Sequence, residues 1–170
     1  MKIYIAITWK ALEYGQKLAR QLEEAGHTVT SRFLAEDYVA PTEGEMDAVH
    51  ARLDLLDIDE AEAMLQVTGN SRTYADGAYR GLDSTTGGRH VEFGYALAKK
   101  KPIFVLGQYE SCFHTHGAIC AVEDIQQFIK LLDAVTKLRA FPEASAAPAR
   151  MPSPASSPEH GIYPTEGDQK

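Results

Sequence analysis

The sequence is poor in the residues that mark secreted and membrane proteins. Its 170 residues include two cysteines, Cys112 and Cys120, and neither belongs to a CxxC pair, so the chain has neither a disulfide framework nor a zinc pattern. Its apolar runs are far shorter than the roughly 20 residues that span a bilayer. No apolar leader follows Met1. We therefore expect a soluble, cytoplasmic protein with no membrane partner.

Basic residues are scarce as well. Against 24 acidic residues the chain has 17 lysines and arginines, which gives a formal charge of −7. The longest basic block is 99–101, and binding to a phosphate backbone requires a larger basic surface than that. This charge balance excludes a nucleic acid polymer as an expected partner.

Aliphatic residues become rare after about residue 140. Six of the eight prolines lie beyond that point, among alanine, serine and glutamate. A segment of this composition cannot bury enough apolar area to offset the entropy of ordering it. The sequence therefore predicts one folded domain over 1–140 and a disordered tail over 141–170.

Within the predicted domain, the apolar pattern alternates between the strand period and the helix period. It predicts strands over 2–7, 27–33, 63–67, 102–106 and 118–122, and helices over 11–25, 44–60, 89–100 and 124–138. This alternation is typical of βαβ units, so we expect a single Rossmann or flavodoxin-like α/β domain: a five-stranded parallel sheet with helices on both faces. Ligands of such sheets bind beyond the carboxyl ends of the strands. The long loop over 68–88 lies at that edge and is a candidate functional segment.

A glycine pair precedes the third predicted helix. Gly87 and Gly88 leave the backbone accessible, and the free N–H groups at a helix start attract anions. Glu92 lies about one turn into this helix, where the dipole would keep it ionised and suited to act as a nucleophile or general base. The alternative is that Glu92 is an ordinary acidic residue near a helix start.

Two further features could carry chemistry. Asp47, His50, Asp54 and Asp57 recur at steps of three and four on one face of the second predicted helix. They indicate either a metal site or, as we favour in the absence of other convergent ligands, a solvated acidic face. Trp9 follows the first strand directly. Its ring could stack on a flat ligand or lie at the edge of the core.

Taken together, three segments resemble the nucleoside 2-deoxyribosyltransferase superfamily, which includes N-hydrolases of nucleoside 5′-monophosphates. They are the first strand ending in Thr8-Trp9, the run from Asp54 to Ala61, and Gly88-Arg89-His90-Val91-Glu92-Phe93-Gly94-Tyr95-Ala96 followed by Lys101-Pro102-Ile103. The resemblance covers roughly 2–133. It implies that Glu92 is the catalytic nucleophile of a retaining double displacement, with a covalent glycosyl intermediate that water or a second base resolves.

The resemblance also implies the roles of other residues. Asp54 matches the family's second carboxylate, which holds the sugar and assists at the active site. Trp9 matches a position that lines the base pocket. Ser111 and Phe113 fall in the loop through which a neighbouring subunit completes each site, so we expect a homo-oligomer with shared active sites. The resemblance implies no metal and no organic cofactor.

One position departs from the family's transferases. Six residues before the nucleophile, transferases of free nucleosides carry an acid, whereas monophosphate hydrolases carry a small hydroxyl residue. Here that position is Thr86, next to Gly87 and Gly88. A hydroxyl at a positive helix end would accept a 5′-phosphate, so we expect a monophosphate substrate, with Arg89 as a second contact.

The predicted function is cleavage of the N-glycosidic bond of a nucleoside or its 5′-monophosphate, with the sugar passed to water or to another base. The alternative is a non-catalytic nucleotide-binding module of the same fold, which the presence of both Glu92 and Asp54 disfavours. A flavodoxin-like mononucleotide binder is a third reading that rests on fold analogy alone. The sequence leaves the preferred base and the preferred sugar open.

Overall fold

The computed structural model describes residues 1–39, 46–69 and 87–140 of the chain. The chain divides into two units, Met1–Ala140 and Phe141–Lys170, and the second unit lies outside the described residues. The disorder expected of the tail therefore stays a prediction. Most of the long loop, residues 70–86, also lies outside the described residues.

The described residues form a five-stranded sheet in which every pairing is parallel. The strands are β1 (Lys2–Ala6), β2 (Thr28–Val29), β3 (Ala63–Val67), β4 (Ile103–Leu106) and β5 (Ile119–Val122), in the spatial order β2-β1-β3-β4-β5. The helices are α1 (Leu12–Glu24), α2 (Met46–Glu60), α3 (Gly88–Ala98) and α4 (Ile125–Ala140). The predicted α/β architecture is confirmed. No helix among these residues is long and apolar enough to cross a bilayer.

Helices cover both faces of the sheet. Helix α1 contacts α4, and α2 contacts α3, so one pair lies on each face. The central strands are buried on both sides, which explains why β1 and β3 read as continuous apolar runs rather than as alternating patterns. Ile3, Tyr4, Ile5 and Leu65 are all fully buried.

The second strand is shorter than the sequence predicts. A strand was expected over 27–33, but β2 ends at Val29 and residues Arg32–Leu34 form a single turn of 3-10 helix. The reason is the buried hydroxyl of Ser31, which accepts a hydrogen bond from the Ile5 N–H at 2.6 Å and donates to the Ile5 carbonyl at 3.1 Å. The side chain replaces the strand ladder there, and the chain turns toward the carboxyl edge of the sheet.

Candidate active site

A cavity of about 480 Å³ opens at the carboxyl edge of the sheet. Its described walls are the residues that follow β1, one face of α2 and the first turns of α3. In a sheet of this strand order the chain switches direction between β1 and β3, which is where such folds bind ligands. The volume is that of a site for one small molecule.

Two carboxyl groups from different helices face this cavity. Asp54 comes from α2 and Glu92 from α3. The hydroxyl of Tyr4, a fully buried residue of β1, lies close enough to both carboxyl groups to affect their pKa values, but it forms no hydrogen bond to either of them. The structure therefore brings together the two predicted catalytic residues and adds a tyrosine that sequence reasoning missed. In the sequence, Tyr4 differs from its neighbours only in being a hydroxyl-bearing ring within an otherwise aliphatic strand.

Burial controls the ionisation of these carboxyl groups. Burial, followed by the neighbouring charge of Asp54, raises the pKa of Glu92 to about 8. Burial, followed by the charge of Asp57, also raises the pKa of Asp54. The Tyr4 hydroxyl lowers both pKa values by a smaller amount. Near neutral pH this pair of carboxyl groups therefore holds a proton.

This result corrects the expectation that the helix dipole keeps Glu92 ionised. Glu92 is the fifth residue of α3, and the influence of the dipole falls off within the first turn. Desolvation at that depth outweighs the dipole. The backbone N–H groups at the start of α3 remain available to the cavity, which Gly87 and Gly88 line.

The start of α3 depends on a glycine. Gly87 has a φ of +86°, in the left-handed region that favours glycine, and it directly precedes the first helical residue. Both Gly87 and Gly88 lie where the sequence placed them, at the cavity wall. Thr86, the residue on which the expected phosphate preference rests, lies outside the described residues.

Arg89 has partners that the sequence did not predict. Its guanidinium is buried, donates to the Val67 carbonyl at 2.6 Å and pairs with the Glu110 carboxylate at 3.1 Å. Glu110 also accepts a hydrogen bond from the Gly69 N–H at 3.1 Å. The guanidinium that was expected to contact a phosphate is thus committed to a protein carboxylate, because Glu110 is the nearest group that neutralises its buried charge.

Aromatic rings form another part of the cavity wall. Trp9, 53% exposed, lies with its ring centre 6.3 Å from that of Phe33. His50 lines the cavity one turn before Asp54, and its Nδ1 is hydrogen-bonded to the Tyr38 hydroxyl at 2.8 Å. Trp9 was predicted to lie here, whereas Phe33 and His50 were not predicted as cavity residues.

The acidic row on α2 divides between two roles. Asp57 is buried and accepts hydrogen bonds from the backbone N–H of Arg32 and from its guanidinium, at 3.0 and 2.6 Å. Asp54, one turn earlier, faces the cavity instead. The described side chains contain no cluster of His, Cys, Asp or Glu that could hold a metal ion.

The loop after β4 carries the last two predicted site residues. Ser111 precedes a short 3-10 helix, Cys112–Thr115, and the Phe113 side chain is 65% exposed. Neither residue is among the described residues that line the cavity of their own chain. The structure does not bring them to this site from within one chain.

The raised pKa of Glu92 has a consequence for stability. The pKa of Glu92 is about 8 in the folded protein, against an ordinary value of 4.5. Between these two pH values the unfolded chain loses its Glu92 proton while the folded protein keeps it, so the folded state becomes less stable as the pH rises. The loss is at most about 1.4 kcal/mol per pH unit. We expect Glu92→Gln to be more stable than the wild type at pH 8 and nearly equal to it at pH 4.5, as measured by urea unfolding.

The control for this measurement is Glu24→Gln, which changes an exposed glutamate of α1. Its effect on the free energy of unfolding should be within about 0.5 kcal/mol at both pH values. An equal effect of Glu92→Gln at pH 4.5 and pH 8 would contradict the burial argument.

Comparison with known proteins identifies similar folds. No protein-family model matches the sequence, and no curated protein matches it significantly. A 2-deoxyribosyltransferase from Bacillus psychrosaccharolyticus is 19% identical, with 76% of this chain and 90% of that chain covered and a TM-score of 0.51. DNA processing protein A from Helicobacter pylori, a single-stranded DNA binder, is 16% identical, with 79% and 81% covered and a TM-score of 0.53.

A third solved structure, the CMP N-glycosidase of Clostridium botulinum, is 20% identical, with 79% of this chain and 99% of that chain covered and a TM-score of 0.46. At these identities the shared property is the fold. The chain is an α/β protein with the parallel-sheet architecture that a 2-deoxyribosyltransferase and a DNA-binding protein also have.

Proposed function

We propose that the protein belongs to the nucleoside 2-deoxyribosyltransferase superfamily and cleaves the N-glycosidic bond of a nucleoside or its 5′-monophosphate. The observation that carries this proposal is the pair of partly buried carboxyl groups, Glu92 and Asp54, which lie near the buried Tyr4 hydroxyl at a cavity of small-molecule size. Two carboxyl groups with different environments are what a retaining displacement at an anomeric carbon requires.

In the proposed mechanism Glu92 is the nucleophile. Its ionised carboxylate attacks C1′, the C1′–N bond breaks with its electron pair passing to the base, and the base takes up a proton. Because the carboxyl pair holds a proton near neutral pH, moving that proton onto Asp54 leaves Glu92 ionised and provides the acid. Water or a second base then attacks C1′ and gives up a proton to Asp54, and the bond between C1′ and the Glu92 oxygen breaks with its electron pair returning to Glu92.

The aromatic wall supports a nucleobase as the leaving group. The rings of Trp9 and Phe33 offer apolar faces to a flat heterocycle, and the imidazole of His50 is held by Tyr38 at the same cavity. A planar ring that stacks here lies beside the two carboxyl groups, which is the arrangement that glycosidic cleavage needs.

The start of α3 supports a phosphate group on the substrate. The backbone at Gly87 and Gly88 faces the cavity at the positive end of the helix. The hydroxyl of Thr86 is proposed from the sequence as an additional donor. The Arg89 guanidinium is not required, since its charge is paired with Glu110.

We also propose that the active form is a homo-oligomer in which a neighbouring subunit completes each site. Phe113, 65% exposed, and Val91, 68% exposed on α3 beside the cavity, are apolar side chains in contact with solvent in a single chain. A second copy that covers them would also narrow the cavity mouth.

The first test is product formation. With deoxynucleosides and their 5′-monophosphates, we expect free base to be released, or a new nucleoside to form when a second base is added. Glu92→Gln should lower the rate by about a thousandfold or more, and Glu24→Gln should not change it. Absence of product, with ligand binding unaffected by Glu92→Ala, would instead establish a non-catalytic binding module. Chromatography of the products distinguishes these outcomes.

The phosphate preference has a separate test. Thr86→Asp places a carboxylate where the 5′-phosphate is proposed to bind, so kcat/KM should fall roughly tenfold more for monophosphates than for the corresponding nucleosides. Thr85→Asp is the matched control, with the same charge one residue away. Equal losses on both substrate classes would reject the phosphate proposal.

Shared sites can be tested by complementation. We expect Phe113→Ser to lower activity while Leu138→Ser, which changes an exposed apolar residue of α4, does not. Mixing the Phe113→Ser and Glu92→Gln proteins should restore activity, because a mixed oligomer has sites with both native residues. A monomer by light scattering, or no recovery on mixing, would contradict the shared site.

A further inference from the structure

The central strand contains one polar side chain that its surroundings do not explain. Gln66 in β3 is 0% exposed, and neither atom of its carboxamide has a hydrogen-bond partner among the described residues. Burying an amide without hydrogen-bond partners is energetically unfavourable. An apolar residue would be the more stable choice at this position, so a functional explanation is needed.

The strand register places Gln66 beside Tyr4. Gln66 pairs with Ala6, and Met64 pairs with Tyr4. Paired residues of neighbouring parallel strands share a face of the sheet, as do residues two apart on one strand. Gln66 and Tyr4 are therefore diagonal neighbours on one face, within reach of long side chains. This is the face on which Tyr4 meets Glu92.

Helix α3 lies against the same part of the sheet. Arg89 donates to the Val67 carbonyl at 2.6 Å, so the first turns of α3 lie near the end of β3, next to Gln66. Glu92 is three residues further along, or about 4.5 Å of helix axis. Tyr4, whose hydroxyl affects the pKa of Glu92, is the diagonal neighbour of Gln66, so the Glu92 carboxyl group and the Gln66 carboxamide lie in the same region of this face.

Other buried polar atoms in this region also lack partners within the described part of the chain. They are the Tyr4 hydroxyl, Oε2 of Glu92 and Nε of Arg89. Tyr4, Arg89 and the Gln66 amide supply donors, and the Glu92 oxygen is an acceptor. Buried water makes about three hydrogen bonds to polar groups of this kind. One water among them would satisfy several of these atoms together.

We propose that Gln66 is a positioning residue for Glu92. Its carboxamide donates a hydrogen bond to a buried water, and this water donates to Oε2 of Glu92, so that the carboxylate keeps one orientation beneath the cavity. The catalytic role of this contact rests on the proposed function, whereas the hydrogen bond through the water is independent of it.

A donor to Glu92 stabilises the ionised form that the nucleophile needs and opposes the effect of burial. Gln66→Leu removes the donor with little change in volume. We expect the midpoint of the Glu92 titration, followed by carboxyl carbon-13 NMR and assigned by its loss in Glu92→Gln, to rise by about one pH unit. The value of kcat should fall about tenfold, with KM within about twofold.

Met64→Leu is the matched control, since it changes a buried residue of the same strand and face without altering any hydrogen-bonding group. It should leave both the Glu92 midpoint and kcat unchanged. Lower stability with an unchanged Glu92 midpoint would make Gln66 a structural residue only and overturn the proposal.

Two further measurements test the contact between Gln66 and Glu92 without relying on these variants. If Gln66→Leu does not fold, a high-resolution crystal structure of the wild type should show a water within hydrogen-bond distance of both Gln66 and Glu92, and its absence would overturn the proposal. The NMR titration does not depend on turnover. A shifted midpoint in a protein that cleaves no nucleoside would reject the proposed function while supporting the contact.

Discussion

The ion pair between Arg89 and Glu110 holds together the parts of the chain that build the cavity. Arg89 is the second residue of α3, and Glu110 follows β4. Through Val67 and Gly69 both side chains also bind the end of β3. The Arg89 side chain is 4% exposed, so removing Glu110 would leave a buried charge uncompensated, which is destabilising. The depth at which α3 presents Glu92 is thus fixed by a contact one turn away from it.

Burial at the cavity floor works against stability. Glu92 and Asp54 are held close together in surroundings that disfavour charge on either one, and Tyr4 offers one hydroxyl between them. A sequence selected for stability alone would not place two carboxyl groups there. Functional sites commonly accept such a cost, which the rest of the fold offsets. Here the offset comes from a sheet whose central strands are completely buried.

Much of the fold could be predicted from the sequence because it depends on local patterns. Continuous apolar runs identified β1, β3 and β4, and the alternation with helical periods identified the parallel sheet. The end of β2 could not be predicted, since it depends on a hydroxyl of Ser31 that reaches a strand 26 residues away. Local periodicity contains no information on such contacts.

The candidate site could likewise be predicted only in part. Glu92, Asp54 and Trp9 follow predicted elements at recognisable positions, and all three line the cavity. Tyr4, Phe33 and His50 read as core or surface residues until the fold places them. The partner of Arg89 was also missed, because Glu110 is 21 residues away and belongs to another loop. Similar folds serve different ligands, so these side chains, rather than the architecture, carry the functional argument.

The contact between Asp57 and the backbone of Arg32 has a geometric consequence. Asp57 fixes the residue that precedes Phe33, and Asp54 lies one turn away on the same rigid helix. The Phe33 side of the cavity and the Asp54 carboxyl group are therefore linked through α2. Removal of the Asp57 carboxylate would change the shape of the cavity, although Asp57 is not among the described residues that line it.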